Sequence, residues 1–102
     1  MLELRPTCEH CNVALPPESP AARICSYECT FCASCADTLL ANVCPNCGGG
    51  FMPRPVRPAR DWQGGNSLLA DPASTTVKHR PVDLVRHAAL VARVGGIPPG
   101  QR

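Results

Sequence analysis

The apolar positions fall into two groups separated by a proline-rich, polar stretch. In residues 1–52, outside cysteine and alanine, they are few: Leu2, Leu4, Val13, Leu15, Ile24, Tyr27, Phe31, Leu39, Leu40, Val43, Phe51 and Met52. The pattern predicts a short helix over Ala33 to Val43, carrying Leu39 and Leu40 inward, with Asp37 and Asn42 facing water. The rest reads as loops and a small hairpin, with Tyr27 and Phe31 packing over whatever site the loops build. A second periodic stretch, Pro81 to Val94, predicts a helix. Leu84, Val85, Ala88, Val91 and Ala92 form its apolar stripe, and Arg86 and Arg93 lie opposite. Pro81 suits its first turn, and Gly95-Gly96 followed by Pro98-Pro99 stops it. A helix of this length is marginal alone in water, so the stripe is expected to dock onto its own head, a twin chain or another protein.

Between the two lies Met52-Pro53-Arg54-Pro55-Val56-Arg57-Pro58, whose prolines predict an extended, semi-rigid spacer. Residues 61–80, with Gly64-Gly65, Asp71-Pro72 and Ser74-Thr75-Thr76, read as irregular chain. Trp62 is the one large apolar anchor there, available to the head or to a partner. The expected organisation is a head over residues 1–52, a spacer and irregular segment over 53–80, and an amphipathic helix with a flexible end over 81–102.

The head has too small a core to fold on apolar burial alone and needs staples. All eight cysteines lie in it, between Cys8 and Cys47. Met1 to Pro6 carries two charges and no apolar stretch, and no run of eighteen apolar residues exists, so the expected location is cytoplasmic, with no membrane partner. Disulfides are rare in a reducing compartment, which makes metal the expected staple. The spacing is Cys8-x2-Cys11, then Cys25-x3-Cys29-x2-Cys32-x2-Cys35, then Cys44-x2-Cys47. A C-x2-C pair lets one tight turn aim two sulfurs at one ion. Four thiolates then complete a closed tetrahedral zinc site with Zn–S near 2.3 Å. Eight cysteines make two such sites, so two Zn²⁺ per chain are expected. Asn12 after Cys11 and Gly48 after Cys47 tolerate the left-handed conformation such turns require, and Pro45 presets φ within the last pair. An iron–sulfur cluster is the rival metal, suggested by Cys29-x2-Cys32-x2-Cys35 and the later Cys44-Pro45, but it leaves four cysteines unexplained. His10, inside the first pair, is expected to face solvent, because eight thiols already complete both sites.

The order of the pairs resembles the cross-brace arrangement of RING-type zinc domains. That resemblance implies one site of Cys8, Cys11, Cys32 and Cys35 and a second of Cys25, Cys29, Cys44 and Cys47. The alternative is sequential, with Cys8, Cys11, Cys25 and Cys29 in one site and the other four in the second. The fold class expected is a small metal-stapled α+β domain, RING-like or treble-clef-like, with little regular structure, followed by an extended tail and a C-terminal helix. Met1-Leu2-Glu3-Leu4-Arg5-Pro6, Ala22-Arg23-Ile24-Cys25-Ser26-Tyr27-Glu28-Cys29-Thr30-Phe31-Cys32 and Cys44-Pro45-Asn46-Cys47-Gly48-Gly49 also resemble an uncharacterised bacterial family, Domain of Unknown Function twelve seventy-two. The likeness covers roughly residues 1–60. It implies a small bacterial zinc protein without naming an activity. The RING likeness would imply ubiquitin-ligase activity, but His10 and Gly48 stand where those ligases carry an apolar and a basic contact residue.

Charge sharpens the division. Residues 1–52 carry two basic against five acidic residues, and residues 53–102 carry eight against three. With eight thiolates and two Zn²⁺ the head becomes more negative still, so the basic tail is expected to be drawn to it. The formal net charge of +2 is too mild to single out nucleic acid. Arg54, Arg57, Arg60, Lys78, Arg80, Arg86 and Arg93 could meet phosphates, but stacking aromatics are scarce. No G-x-S-x-G, Walker loop, H-E-x-x-H or dinucleotide glycine fingerprint is present, and closed four-thiolate sites leave no position for substrate. The expectation is a non-catalytic zinc protein that contacts another protein or a second copy of itself, with Trp62, Leu84, Val85, Ala88 and Val91 as candidate contact residues. Nucleic-acid association and redox or zinc sensing are the alternatives.

Overall fold

A computed structural model describes all 102 residues. Three short strands form an antiparallel sheet: β1 (Ala22–Ile24), β2 (Thr30–Cys32) and β3 (Met52–Pro53), in the order β2-β1-β3. Arg23 pairs with Phe31 on one side and Pro53 on the other. Proline has no N–H to give a ladder, and Pro53 sits where that costs least, on an edge strand. The boundary expected at residue 52 therefore cuts through β3, and the first spacer residues belong to the head's own sheet.

The predicted helix over Ala33 to Val43 is realised only over its first seven residues: Ala33 and Ser34 are helical and lead into a five-residue π-helical turn, Cys35–Leu39. Leu40 N–H closes it on Cys35 O at 2.9 Å. Ala41 and Asn42 then take left-handed φ values of 50° and 59°, which end the turn and send the chain back toward Cys44. Leu40 is fully buried and Leu39 is exposed, so only one of the two leucines points inward. Phe31 is buried as expected, and its ring meets that of Phe51 edge to face at 5.4 Å. Tyr27, by contrast, is 75% exposed. Five of the eleven residues in the buried apolar cluster are cysteines, so sulfur supplies much of the core that the head lacks in aliphatic side chains.

The tail winds back over the head. Its arginines do this by donating to main-chain carbonyls. Arg54 is 4% exposed and donates to the carbonyls of Arg5, Leu15 and Pro16 at 2.9–3.1 Å. Burial alone pushes its pKa down, and no carboxylate faces it. Arg57 donates to Leu2 O and Asp71 O, both at 2.7 Å, and Arg102 donates to Asn42 O and Gly48 O. The expected attraction of the basic tail to the acidic head thus takes the form of N–H···O=C bonds. The ion pairs of the chain both lie inside the head, from Arg5 to Glu3 and Glu9.

The C-terminal helix, α1, spans Leu84–Val94. Asp83 caps it, its carboxylate accepting from Val85 N–H and Arg86 N–H at 3.1 Å, so the helix begins after Pro81 rather than at it. Val82 is held out of the helix because its N–H is donated to His10 Nδ1, and its side chain packs on the head's core. His87 is 4% exposed and donates from Nε2 to Leu40 O at 3.0 Å. The inward face is therefore His87, Leu90, Val91 and Val94. At about 100° per residue this face is rotated roughly a third of a turn from the apolar stripe. Of the predicted stripe only Val91 is half-buried, while Leu84, Val85, Ala88 and Ala92 face outward. Trp62, 79% exposed, does not pack back onto the head. The radius of gyration is 14.6 Å, above the roughly 13 Å of a compact domain of this length. No helix is long and apolar enough to cross a membrane.

The Arg54 guanidinium joins two segments of the head through three carbonyls. Arg54→Met is expected to lower unfolding free energy by about 1.5–3 kcal/mol, from lost charge-assisted hydrogen bonds. Arg54→Lys should recover only part of this, since one ammonium cannot serve the same spread of carbonyls. Denaturant midpoints measured with metal present check both.

Candidate metal centres

Three of the four cysteine pairs are presented by turns whose closure the sequence dictates; Cys32 and Cys35 stand at the end of β2 and the start of the helical turn. In the first, Asn12 N–H bonds to Cys8 O at 2.9 Å, with Asn12 at φ 63°. In the last, Gly48 N–H bonds to Cys44 O at 2.8 Å, with Gly48 at φ 77°. These are the left-handed positions expected after Cys11 and Cys47. The middle turn is the tip of the β1–β2 hairpin. Glu28 N–H bonds to Cys25 O, and Glu28 takes φ 67° without being glycine or asparagine. Its side chain accepts from Glu3 N–H at 2.7 Å, a contact that holds the tip in place.

The turns bring the sulfurs into two clusters. In the first, the Sγ atoms of Cys8, Cys11, Cys32 and Cys35 all lie within 4.8 Å of one another. The second gathers Cys25, Cys44 and Cys47 in the same way. Cys29 lies beside this trio, in contact with Cys25 and Cys44, and accepts from Asn46 Nδ2 at 3.4 Å. The first pair of the sequence thus meets the third, and Cys25 and Cys29 meet the fourth. None of the eight is in a disulfide. No histidine or carboxylate joins either cluster.

The donor set fits a tetrahedral thiolate-binding ion. Around an ion with Zn–S near 2.3 Å, tetrahedral sulfurs stand about 3.8 Å apart, and Cys11 and Cys32 are 3.8 Å apart. Backbone and side-chain N–H groups already point at sulfur. Cys35 N–H is given to Cys32, Tyr27 N–H to Cys25 and Gly49 N–H to Cys47, each at 3.4 Å. Such donors stabilise thiolate charge. Without a cation the clusters resist ionisation. Burial first, and then neighbouring cysteines, pushes the thiols of Cys29, Cys35 and Cys44 above the ordinary value. Either cluster can hold a metal ion; the chemistry of eight thiols favours a soft or borderline one.

His10 is the residue whose position sequence reasoning missed. It takes no part in a cluster, but it does not face solvent freely. Its Nδ1 accepts Val82 N–H at 2.9 Å, and its carbonyl accepts from His79 Nε2 at 3.2 Å. Glu9 beside it is buried, accepts Arg80 N–H on its carbonyl, and takes Arg5 NH1 and Thr30 N–H on one carboxylate oxygen, each at 2.6 Å. Apart from the i,i+4 pairing of Arg5 with Glu9, no local pattern marks these roles, because Thr30, His79, Arg80 and Val82 lie far along the chain.

A family model described as "Protein of unknown function (DUF1272)" matches residues 1–57. An uncharacterised protein of Rhizobium meliloti (strain 1021) is 53% identical over 81 residues, 79% of this chain and 89% of the relative. That alignment is longer than the family match, so the similarity runs into the tail. No solved structure matches.

The raised thiols give opposite pH slopes to the two forms of the chain. Thiols whose pKa is raised by folding favour the folded state below the unfolded-thiol pKa, near 8.5, and disfavour it as pH rises through that value. Metal-free chain that retains structure should therefore lose stability as pH rises. Metal-loaded chain should do the reverse and lose its ion as pH falls, because protons compete for thiolate. Thermal unfolding of both forms across pH 5–10, with a chromogenic chelator present, reads both signs.

Proposed function

The chain belongs to the family described as Protein of unknown function (DUF1272), and from that premise we propose a non-catalytic protein whose head is held by two Zn²⁺ ions in interleaved four-cysteine sites and whose tail presents a surface to another protein. In this reading Cys8, Cys11, Cys32 and Cys35 hold one ion, and Cys25, Cys29, Cys44 and Cys47 hold the other, as in a cross-brace. The observation that carries it is the convergence of sulfur alone, from turns distant in sequence, into two groups. When bound, the ions supply cross-links and no reactive position, since each has four protein ligands. Their role is folding free energy, as in other small domains with structural zinc.

The interaction half rests on α1. Its inward face is anchored by His87, which leaves Leu84, Val85 and Ala88 exposed along one side of a capped helix. Trp62 adds a second exposed apolar side chain. Nucleic acid is the weaker reading, since Arg54 and Arg57 of the candidate phosphate contacts are spent on the head's own carbonyls.

Elemental analysis of the purified chain should give two zinc ions per polypeptide and no visible absorption. One ion, or iron with a brown colour, would remove the two-site scheme. Val85→Glu should keep both ions and the thermal midpoint while weakening self-association or partner capture. Sedimentation velocity over a concentration series, with partner pulldown from the source organism, measures this. Unchanged association in both assays would exclude the stripe.

A further inference from the structure

The two clusters are not equally protected. Each has one exposed ligand, Cys11 in the first and Cys47 in the second. Cys47 accepts an N–H from Gly49, and its neighbour Cys29 accepts one from Asn46. Cys11 receives no N–H; its sulfur is surrounded only by the other sulfurs of its cluster, with that of Cys32 at 3.8 Å. A hydrogen bond draws on the same sulfur lone pairs a nucleophile uses, so the exposed thiolate without one is the better nucleophile. Cys32 stands close enough to act as the resolving sulfur after a short movement.

The first turn has a second face. Glu9 O accepts Arg80 N–H at 2.8 Å, His10 O accepts from His79, and His10 Nδ1 accepts Val82 N–H. Three anchors of the tail, at His79, Arg80 and Val82, thus sit between Cys8 and Cys11. Beyond them α1 is lightly held. A cavity of about 420 Å³ separates it from the head, bordered by Phe31 and Asn46 on one side and Arg86 and Leu90 on the other, and His87 is its one buried residue.

We propose that Cys11 is a modification site for two-electron oxidants of the peroxide class, and that its oxidation opens the first cluster and releases tail residues 79–82 from the first turn. This rests on the zinc–thiolate reading above. The Cys11 thiolate attacks a peroxide oxygen: an S–O bond forms, the O–O bond breaks, and the departing hydroxide takes a proton and leaves as water. The Cys32 thiolate then attacks that sulfur. The S–S bond forms, the S–O bond breaks and a second hydroxide leaves. Two electrons pass from the two sulfurs to the peroxide. Cys8 and Cys35 alone no longer complete a four-thiolate site, the ion departs, and the turn bearing Glu9 and His10 loses its fixed shape.

The test uses the full chain loaded with two zinc ions, a stoichiometry measured first so that failure of the zinc reading is seen separately. Hydrogen peroxide is added up to one equivalent. Zinc release is followed with a chromogenic chelator, oxidised cysteines by peptide mass spectrometry, and amide protection by hydrogen exchange. The expected result is loss of one ion, a Cys11–Cys32 disulfide, reduced Cys25 and Cys47, and loss of protection at Arg80 and Val82. Oxidation of Cys47 before or together with Cys11 overturns the site assignment. Zinc loss with Arg80 and Val82 still protected overturns the release. His10→Ala should keep both ions yet lose protection at Val82; protection that survives this change also overturns the release.

Discussion

Bringing thiol sulfurs together inside a small fold is the constraint on which this structure depends. Cys11 and Cys32 meet across twenty-one positions of chain, and the closure entropy of such loops must be offset by what happens at the meeting point. Uncharged thiols in van der Waals contact offset little of it. Thiolates repel one another, and burial disfavours them further. A cation resolves both problems. The chain visits the first cluster, then the second at the hairpin tip, then the first again after β2, and finally the second. Strand β2, only three residues long, therefore links the clusters, and the small sheet is fixed by its ends more than by its ladder.

Around that centre, arginine takes over work that aliphatic side chains perform in larger domains. The long apolar stems of Arg54 and Arg57 cover surface while their planar heads gather carbonyls of the head's loops. This suits a chain rich in proline, whose residues offer carbonyls but no N–H. Pro16 O is one of the acceptors Arg54 serves. The loops of the head are thereby satisfied from outside the head, by residues arriving late in the sequence.

What could be read from the sequence follows from how local each feature is. The cysteine turns were legible, down to the left-handed Asn12 and Gly48, because a turn is a matter of five adjacent residues. The grouping of the pairs was open to two readings from spacing alone, since either closes both sites. The helix near Leu84 was legible, but its orientation was not. The apolar stripe is a local property, whereas the face that turns inward is set by one distant bond, from His87 to Leu40 O. The same reason hid Arg54. In sequence it is one basic residue in a proline spacer, and only the approach of Arg5, Leu15 and Pro16 gives it a purpose. The helix expected over Ala33 to Val43 stops at Leu39, because the need to return Cys44 to its cluster bends the chain at Ala41 and Asn42.

Synthesis proceeds from the amino terminus, and this gives the arginine clamps a place in time. Both sulfur clusters can be complete once Cys47 has left the ribosome, seven residues before Arg54 follows. Until then the carbonyls of Arg5 and Leu15 lack the Arg54 donor and face water. Gathering of the sulfurs can thus come before closure: the head is first drawn together by its cysteines and only afterwards sealed by its own trailing chain. A nascent chain arrested between those two events would have its sulfurs gathered yet still be open at the face where Arg54 later inserts.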